Sequence, residues 1–410
     1  MNSIKTIEGG VTAAKGFQTA GCETGIRHSG RKDMALVYSE TPCVAAGTYT
    51  SNVVKAAPVL WDKAITDAGK SVHAVIVNSG IANACTGREG MVVCEETASL
   101  VATAFGISDD AVLIGSTGVI GMQIPMDKVR YGVTRLKEKL ADTEACAHEA
   151  ADAIITTDTH RKELAVSFQV GETECHLGGM CKGSGMIHPN MCTMLAFLTS
   201  DVAIEQGLLQ KALREVVVDS FNMISVDGDM STNDTLLVLA NGEAKNSIID
   251  SEGADYDAFK EALNYVCTEM AQMLAGDGEG ATALFETHIV HAASKEDART
   301  LAKSVISSSL TKAAIFGHDA NWGRILCALG YSGASFDPDN IDLYIEGGDD
   351  GMLLFSRGKA SNYSEEEATK VLSSKKVTVT ADMHMGDYEA TAWGCDLTYD
   401  YVKINADYRS

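Results

Sequence analysis

The stretch Lys182-Gly183-Ser184-Gly185-Met186-Ile187-His188-Pro189-Asn190-Met191-Cys192-Thr193-Met194-Leu195 runs from a glycine segment through an X-Pro step into a short Met-Cys-Thr sequence. Met194-Leu195-Ala196-Phe197-Leu198 then reads as a buried strand bounded by turn signals. Thr193 opens that strand. Its hydroxyl can attack the carbonyl of Cys192, draw the acyl group from nitrogen to oxygen, and let water release a new chain end. The product is a threonine with a free α-amino group. Such an amine has an ordinary pKa of about 8, close enough to neutrality to act as general base for its own hydroxyl. No histidine or aspartate partner is then required. The plain alternative is a β-branched residue at the start of a strand, where most threonines of such runs belong.

Working outward, Glu163 to Val170 reads as a strand just upstream of the glycine segment, and Val72 to Val77 and Val112 to Gly115 as earlier ones. The stretch Cys94 to Phe105 reads as an amphipathic helix ended by Gly106. Beyond Thr193, helical periodicity spans Val202 to about Val218, Tyr256 to Leu274, and Ser294 to Ser308, with Ser294 and Asp297 as a capping pair. Ala313 to Phe316, Ile341 to Glu346 and Lys376 to Ala381 read as strands. The class is mixed α/β. Only 5 prolines occur and no Ser/Gly/Pro-rich linker separates independent modules, so a cut at Thr193 divides one folded body rather than releasing a domain.

Composition narrows the function classes. A chain of 410 residues with 45% apolar content can bury large cores. With 33 basic against 56 acidic residues the net charge is -23, which disfavours nucleic acid and anionic membrane surfaces as partners. An anionic small substrate needs a local cation inside that field. The 11 cysteines lack any C-x-x-C pair, the pattern of free thiols in a reducing compartment, without structural zinc. Neither a secretory signal nor a run of roughly 20 apolar residues is visible. A soluble cytoplasmic protein is expected.

Val112-Leu113-Ile114-Gly115-Ser116-Thr117-Gly118-Val119-Ile120-Gly121 is a strand running into a glycine loop. Its spacing is G-x-x-G-x-x-G, which is not the dinucleotide fingerprint. A glycine loop does expose backbone N-H groups, and a neighbouring hydroxyl adds a donor, so an oxyanion hole is the better use; an ordinary tight turn is the alternative.

Taken together, the Lys182 to Leu195 stretch followed by Ser200-Asp201 resembles the cleavage-site signature of the glutamate N-acetyltransferase family, also called ornithine acetyltransferases. The resemblance continues through Asn78 to Gly87, Ser116 to Gly121, Thr156-Thr157-Asp158-Thr159, Val226 to Thr235 and Asp277-Gly278-Glu279-Gly280-Ala281-Thr282. It extends to Ala314 to Gly317, Asn321 to Ile325, and the terminal Tyr401 to Ser410. It thus covers essentially the full chain.

The resemblance implies two facing β-sheets flanked by helices, an αββα-like sandwich. It implies an α chain of residues 1–192 and a β chain of residues 193–410, intertwined in one body and paired into a heterotetramer. The implied reaction moves acetyl from N2-acetylornithine to glutamate through an acetyl-Thr193 ester, with Thr117 and Gly118 as the oxyanion hole. Thr156, Lys182, Thr193, Glu279, Asn405 and Ser410 correspond to substrate-contacting positions. Lys182, on the flexible approach, would meet the carboxylate of an acetylated amino acid, and beside the new α-amine it would depress that pKa. Glu279, between glycines, suits an α-ammonium. No metal or cofactor is needed. Some family members also take acetyl from acetyl-CoA, and the sequence leaves that open here.

Two positions depart from the family pattern. Cys192 stands where alanine is usual, and being small and apolar it leaves cleavage possible. His188 replaces a small residue with a side chain whose ordinary pKa lies near neutrality, and so can alter the rate or pH dependence of the cut; the sequence leaves that effect open.

Three strings are read as structural. Asp227-Gly228-Asp229 with Asn233-Asp234 lacks EF-hand spacing. His288 and His291 lie three apart in a strand-like stretch and point to opposite faces. Gly179-Met180-Cys181-Lys182-Gly183 mimics a cysteine nucleophile elbow. An amidohydrolase or aminopeptidase of the same architecture, and an uncleaved binding protein, are the competing readings.

Overall fold

The computed structural model describes residues 4–188 and 194–407, and these fall into two units. The first holds the described parts of residues 1–183, 189–222 and 230–270. Its strands are β1 (Lys5–Ile7), β2 (Phe17–Cys22), β3 (Met34–Tyr49), β4 (Val72–Asn78), β5 (Val112–Ser116), β6 (Lys162–Val170), β7 (Thr173–Lys182) and β8 (Leu195–Ser200). After the two-residue β9 (Ile224–Ser225) of the second unit comes β10 (Thr235–Ala240). Hydrogen bonding runs in the order β1-β6-β7-β8-β10-β3-β4-β5, with β2 on β3.

The 16-residue β3 serves two sheets. Its second part, Val44 to Tyr49, pairs with β10, while its first part pairs with β2 and β4. Alternation along the strands then makes the two sheets face each other. Val75, Val77 and Leu113 from one sheet share a buried cluster with Met180, Leu195, Phe197, Leu237 and Leu239 from the other. Phe197 comes so close to Gly115 that a Cβ there would lie 2.7 Å from its ring. Each such large side chain, fully buried, stabilises the sandwich by about 1.5–3 kcal/mol.

Helices cover the outer faces. After α1 (Ala57–Asp67), α2 (Gly87–Phe105) and α3 (Met126–Lys139) pack Ala98, Val101, Val129 and Val133 onto Leu36, Ile76 and Ile114. Gly106, at φ +71°, ends α2 as expected. The alanine-rich α4 (Glu144–Ile154) joins the inter-sheet cluster. On the opposite face, α5 (Gln206–Asp219) clamps Gly47 through both amide atoms of Gln210, at 3.1 Å each. The long α6 (Ala254–Gly276) sets Phe259 against Phe168, and its last residues pass into the second unit. The expected αββα layering is therefore present within the first unit.

The second unit holds the described parts of 184–188, 223–229 and 271–410. Its sheet combines β9 with β11 (Leu284–Ala292), β12 (Asp342–Gly347), β13 (Asp350–Ser356), β14 (Lys359–Ala360), β15 (Lys376–Asp382) and β16 (Tyr388–Cys395), in the order β14-β13-β12-β15-β11-β16-β9. Its remaining helices are α7 (Lys295–Ser307), α8 (Ser309–Phe316), α9 (Trp322–Gly330), α10 (Glu365–Leu372) and α11 (Tyr399–Ala406). Ser294 caps α7 as expected, accepting from the Asp297 N-H at 3.1 Å and donating to the Asp297 carboxylate at 2.7 Å.

One expected strand is a helix. Ala313 to Phe316 is the end of α8, started by Ser308, whose hydroxyl accepts from the Thr311 N-H at 3.2 Å. A four-residue apolar run carries no period of its own, and the upstream cap decides it. Among the described residues, no helix is long and apolar enough to cross a membrane.

The opening segment is now framed. Its two flanks pair directly, β7 antiparallel to β8 with Lys182 opposite Leu195. On its other side β8 runs parallel to β10 with Leu195 opposite Thr235. The opening segment thus lies in the sequence between two adjacent interior strands of a sheet, β7 and β8.

Candidate active site

Thr193 and Cys192, together with Ser410, lie outside the described residues. The site is therefore built from what surrounds them in sequence and from the two units separately.

In the first unit a single buried carboxylate organises the expected substrate residues. Asp158 Oδ1 accepts from Lys162 Nζ at 2.7 Å and from the Gly183 N-H at 2.7 Å. Its Oδ2 accepts from the Thr156 N-H at 3.0 Å and stands 4.0 Å from Lys182 Nζ. Burial alone would raise the Asp158 pKa, but the ammoniums of Lys182 and Lys162 outweigh it and hold the carboxyl well below the usual range. Lys182 itself is 8% exposed. It ends β7, so the lysine expected on a flexible approach is a buried cation at a strand end. Thr156 and Lys182 are brought together as expected. Asp158 and Lys162 were not singled out from the sequence; their i, i+4 opposite charges were the available signal.

The Thr117-Gly118 loop follows β5. Thr117 N-H donates to Asn78 O at 3.0 Å and Val119 N-H to Gly80 O at 3.1 Å. Between them Gly118 has φ +127°, and a Cβ would lie 2.2 Å from the Gly80 carbonyl carbon, so only glycine fits. Among the described residues, neither the Gly118 N-H nor the Thr117 hydroxyl has a hydrogen-bond partner. Two idle donors on one tight loop are what an oxyanion hole requires. Asn233 ties this loop to the strand start. Its Nδ2 donates to Ser116 O at 2.9 Å and Ala82 O at 2.6 Å, while two residues on the Thr235 N-H donates to Met194 O at 2.9 Å. Asp234, 2% exposed, is pushed well above the ordinary carboxyl pKa by burial, which Ser231, Lys182 and Thr50 only partly offset.

The second unit gathers the other two described candidates. Glu279, 6% exposed, accepts from Asn405 Nδ2 at 2.7 Å across 126 residues of sequence. Its N-H donates to Ser184 O at 2.8 Å, and Gly185 passes so close that a Cβ would sit 2.4 Å from the Glu279 carboxyl carbon. The helix that carries Asn405, α11, is anchored by Thr398, whose hydroxyl donates to Gly280 O at 2.7 Å. The C-terminal segment is docked through this contact.

The glycine approach, expected to be flexible, is held along residues 184–187. Ser184 Oγ donates to Asp277 O at 2.7 Å, and Asp227 accepts from the Met186 and Ile187 N-H groups at 2.6 and 2.9 Å. Asp227 therefore brackets a backbone bend, the structural role read for that string. His188 bonds Ser225 Oγ at 3.0 Å, and burial, with Lys303 nearby, lowers its pKa to about 4. It is neutral at pH 7, because burial moves its titration well below neutrality. Burial pushes the Cys181 thiol up to about 12, which removes it as a nucleophile. His288 and His291 turn to different carboxylates, Glu389 at 3.7 Å and Asp382 at 2.9 Å.

Known proteins resemble the whole chain. A family model described as the ArgJ family matches residues 18–410. The arginine biosynthesis bifunctional protein ArgJ 1 of Clostridium acetobutylicum is 47% identical over 411 residues, covering 100% of both chains. The arginine biosynthesis bifunctional protein ArgJ of Symbiobacterium thermophilum is 50% identical over 409 residues, covering 99% of this chain and 100% of that one. A solved structure of the arginine biosynthesis bifunctional protein argJ from Bacillus halodurans is 44% identical, covering 51% of this chain and 97% of that chain at a TM-score of 0.49.

Proposed function

Because this chain belongs to the ArgJ family, we propose that it cuts itself between Cys192 and Thr193 and uses the freed Thr193 as an acetyl carrier. As an acyltransferase of arginine biosynthesis it takes acetyl from N2-acetylornithine and gives it to glutamate. Thr193 Oγ attacks the acetyl carbonyl, the C-N bond to ornithine breaks, and the hydroxyl proton leaves with the departing amine. Glutamate's amine then attacks the acetyl ester and regenerates the Thr193 hydroxyl. Thr117 Oγ and the Gly118 N-H receive the oxyanion in each half-reaction; loss of one such donor costs roughly 3–4 kcal/mol of transition-state stabilisation. Lys182 pairs with a substrate carboxylate, Glu279 with an α-ammonium, and Thr156, Asn405 and Ser410 complete substrate contact.

The observation that carries this reading is the Asp158 knot. It places a buried lysine and Thr156 on one carboxylate, in the same unit as the two idle donors of the Thr117-Gly118 loop. Acetyl-CoA as a second donor, a heterotetramer of two α and two β chains, and a cytoplasmic location belong to the same proposal.

Thr193→Ala tests it directly. The variant is expected to run as one 43.4 kDa band without transfer activity, where the native chain gives two bands and moves acetyl from N-acetylornithine to labelled glutamate. An uncut native chain with full activity, or activity retained in Thr193→Ala, would sink the mechanism. Hydrolysis of N-acetylornithine without transfer to glutamate would favour the amidohydrolase reading instead.

A further inference from the structure

The helix α11 touches both grips on the arch of residues 184–187, and it does so without a buried residue of its own. At one grip Asn405 Nδ2 donates to Glu279 Oε2 at 2.7 Å, while the Glu279 N-H donates to Ser184 O. At the other, the Tyr401 hydroxyl donates to Asp227 Oδ2 at 3.3 Å, across 174 residues of sequence. We propose that Tyr401 is a positioning residue for self-cleavage: docked on Asp227, its hydroxyl completes the clamp on Met186 and Ile187, so the cut waits until α11 is in place. The inference rests on the self-cleaving reading and adds to it what licenses the cut. Tyr401 itself makes and breaks no bond.

The clamp is one carboxylate filled by donors. Asp227 Oδ2 also accepts from the Met186 N-H at 2.6 Å, and Oδ1 accepts from the Ile187 N-H at 2.9 Å and the Asp229 N-H at 3.2 Å. With the Tyr401 hydroxyl, these occupy the four lone-pair sites of a carboxylate. Tyr401 is the donor that comes from a distant element. Burial, with the Asp227 charge second, raises the Tyr401 pKa, so the hydroxyl keeps the proton it donates.

Met186 shows what the clamp holds. Its φ is +55°, a left-handed backbone that a residue with a Cβ adopts only where its surroundings impose it. Asp227 imposes it through two N-H groups, and the Val226 N-H closes the bend by donating to Ile187 O at 2.7 Å. His188 comes next, with its ring on Ser225 Oγ, and as the residue before a proline it is biased to extended backbone. The direction set at Met186 is thus carried toward the Cys192-Thr193 bond. Attack of a hydroxyl on the preceding carbonyl depends on such orientation.

The seat of α11 uses a string that the proposed reaction leaves idle. Phe316, from Ala314 to Gly317, meets the Tyr399 ring edge-on at 5.6 Å, and the Leu397 N-H donates to Lys312 O at 3.2 Å. A helix held by polar contacts and one ring pair belongs to the low-stability end of a fold. Its docking therefore reports that the elements beneath it have formed.

The test follows freshly translated, labelled chains on a denaturing gel for wild type, Tyr401→Phe, Asp227→Ala and the double variant. Tyr401→Phe keeps the ring, and loss of one hydrogen bond to a charged group should slow the cut about tenfold. Asp227→Ala should slow it at least as much, and the double variant no more than Asp227→Ala alone, because the hydroxyl acts through that carboxylate. Processed Tyr401→Phe should move acetyl from N-acetylornithine to glutamate with kcat and KM within about twofold of wild type, which separates positioning of the cut from damage to the fold. Three results would each overturn the proposal while leaving the proposed function standing: Tyr401→Phe maturing as fast as wild type, rate effects of the two substitutions that multiply, or an equal loss of transfer in processed Tyr401→Phe. A wild-type chain that stays uncut would remove both.

Discussion

Asp158 shows how one residue fixes others that the sequence names separately. Thr156 and Lys182 are 26 positions apart in the chain and meet only because Asp158, fully buried, accepts from one and faces the other. Substituting it with asparagine removes the carboxylate that both buried ammoniums face, and breaking a buried ion pair from one side typically costs about 3–5 kcal/mol. Asp158→Asn should therefore lower the melting temperature measurably at pH 7. The loss should fade toward acid pH, because a carboxyl held below its ordinary pKa stabilises the fold only above that value and loses the contribution as pH falls. A melting temperature equal to wild type at pH 7 would show the pair to be idle. Such a knot is not legible in sequence: charges are visible, but their desolvation depends on strands β6 and β7 closing over them.

His188 is the opposite case, where an imidazole that ordinarily titrates near neutrality is moved away from it by burial. With a pKa near 4 the ring stays neutral through the physiological range. Its effect on stability is complete above its ordinary value of 6.5 and is lost only as pH falls toward about 4. The rate of self-cleavage, followed by denaturing gel, should show no step near pH 6.5 that His188→Asn abolishes. A step that disappears in the variant would mean that the ring is charged.

At the scale of elements, most of the secondary structure was readable because its period was long enough. α6, α7 and the strands β4 to β6 lie where hydrophobic spacing and caps put them. α8 was misread because four apolar residues carry no period and Ser308 was not weighed as a cap. Half-buried contacts between distant elements were visible only through motif resemblance. The clearest is α11, which has no buried residue of its own yet carries Asn405 to Glu279. Removing residues 405–410 deletes that donor and should abolish acetyl transfer while self-cleavage continues. Retained transfer in the truncated enzyme would detach the C-terminal segment from the site.

At the scale of the whole molecule, the position of the proposed cut relative to the two units matters more than the cut itself. Residues 184–188 precede Thr193 in sequence but belong to the second unit, the rest of which follows Thr193. β7 and β8, on either side of the bond, pair within the first unit. Scission at the proposed Cys192-Thr193 bond would therefore leave β7 of one piece paired with β8 of the other, and the two should not separate without denaturant. On that proposal, folding precedes the cut. A processed sample unfolded in guanidinium has lost the tether that kept the pairing of β7 with β8 unimolecular, and its recovery on dilution should depend on protein concentration. Unprocessed Thr193→Ala should refold with first-order kinetics. If both recover alike, the connection played no part in assembly.

The Ser184 to Ile187 arch, gripped by Asp227 and by the Asp277 to Glu279 turn, then acquires a meaning beyond positioning. If the proposed cut takes place, maturation would be a one-way event: the order of the chain would be used once, to bring β7 beside β8, and the two products would then be held by kinetics rather than by a covalent link.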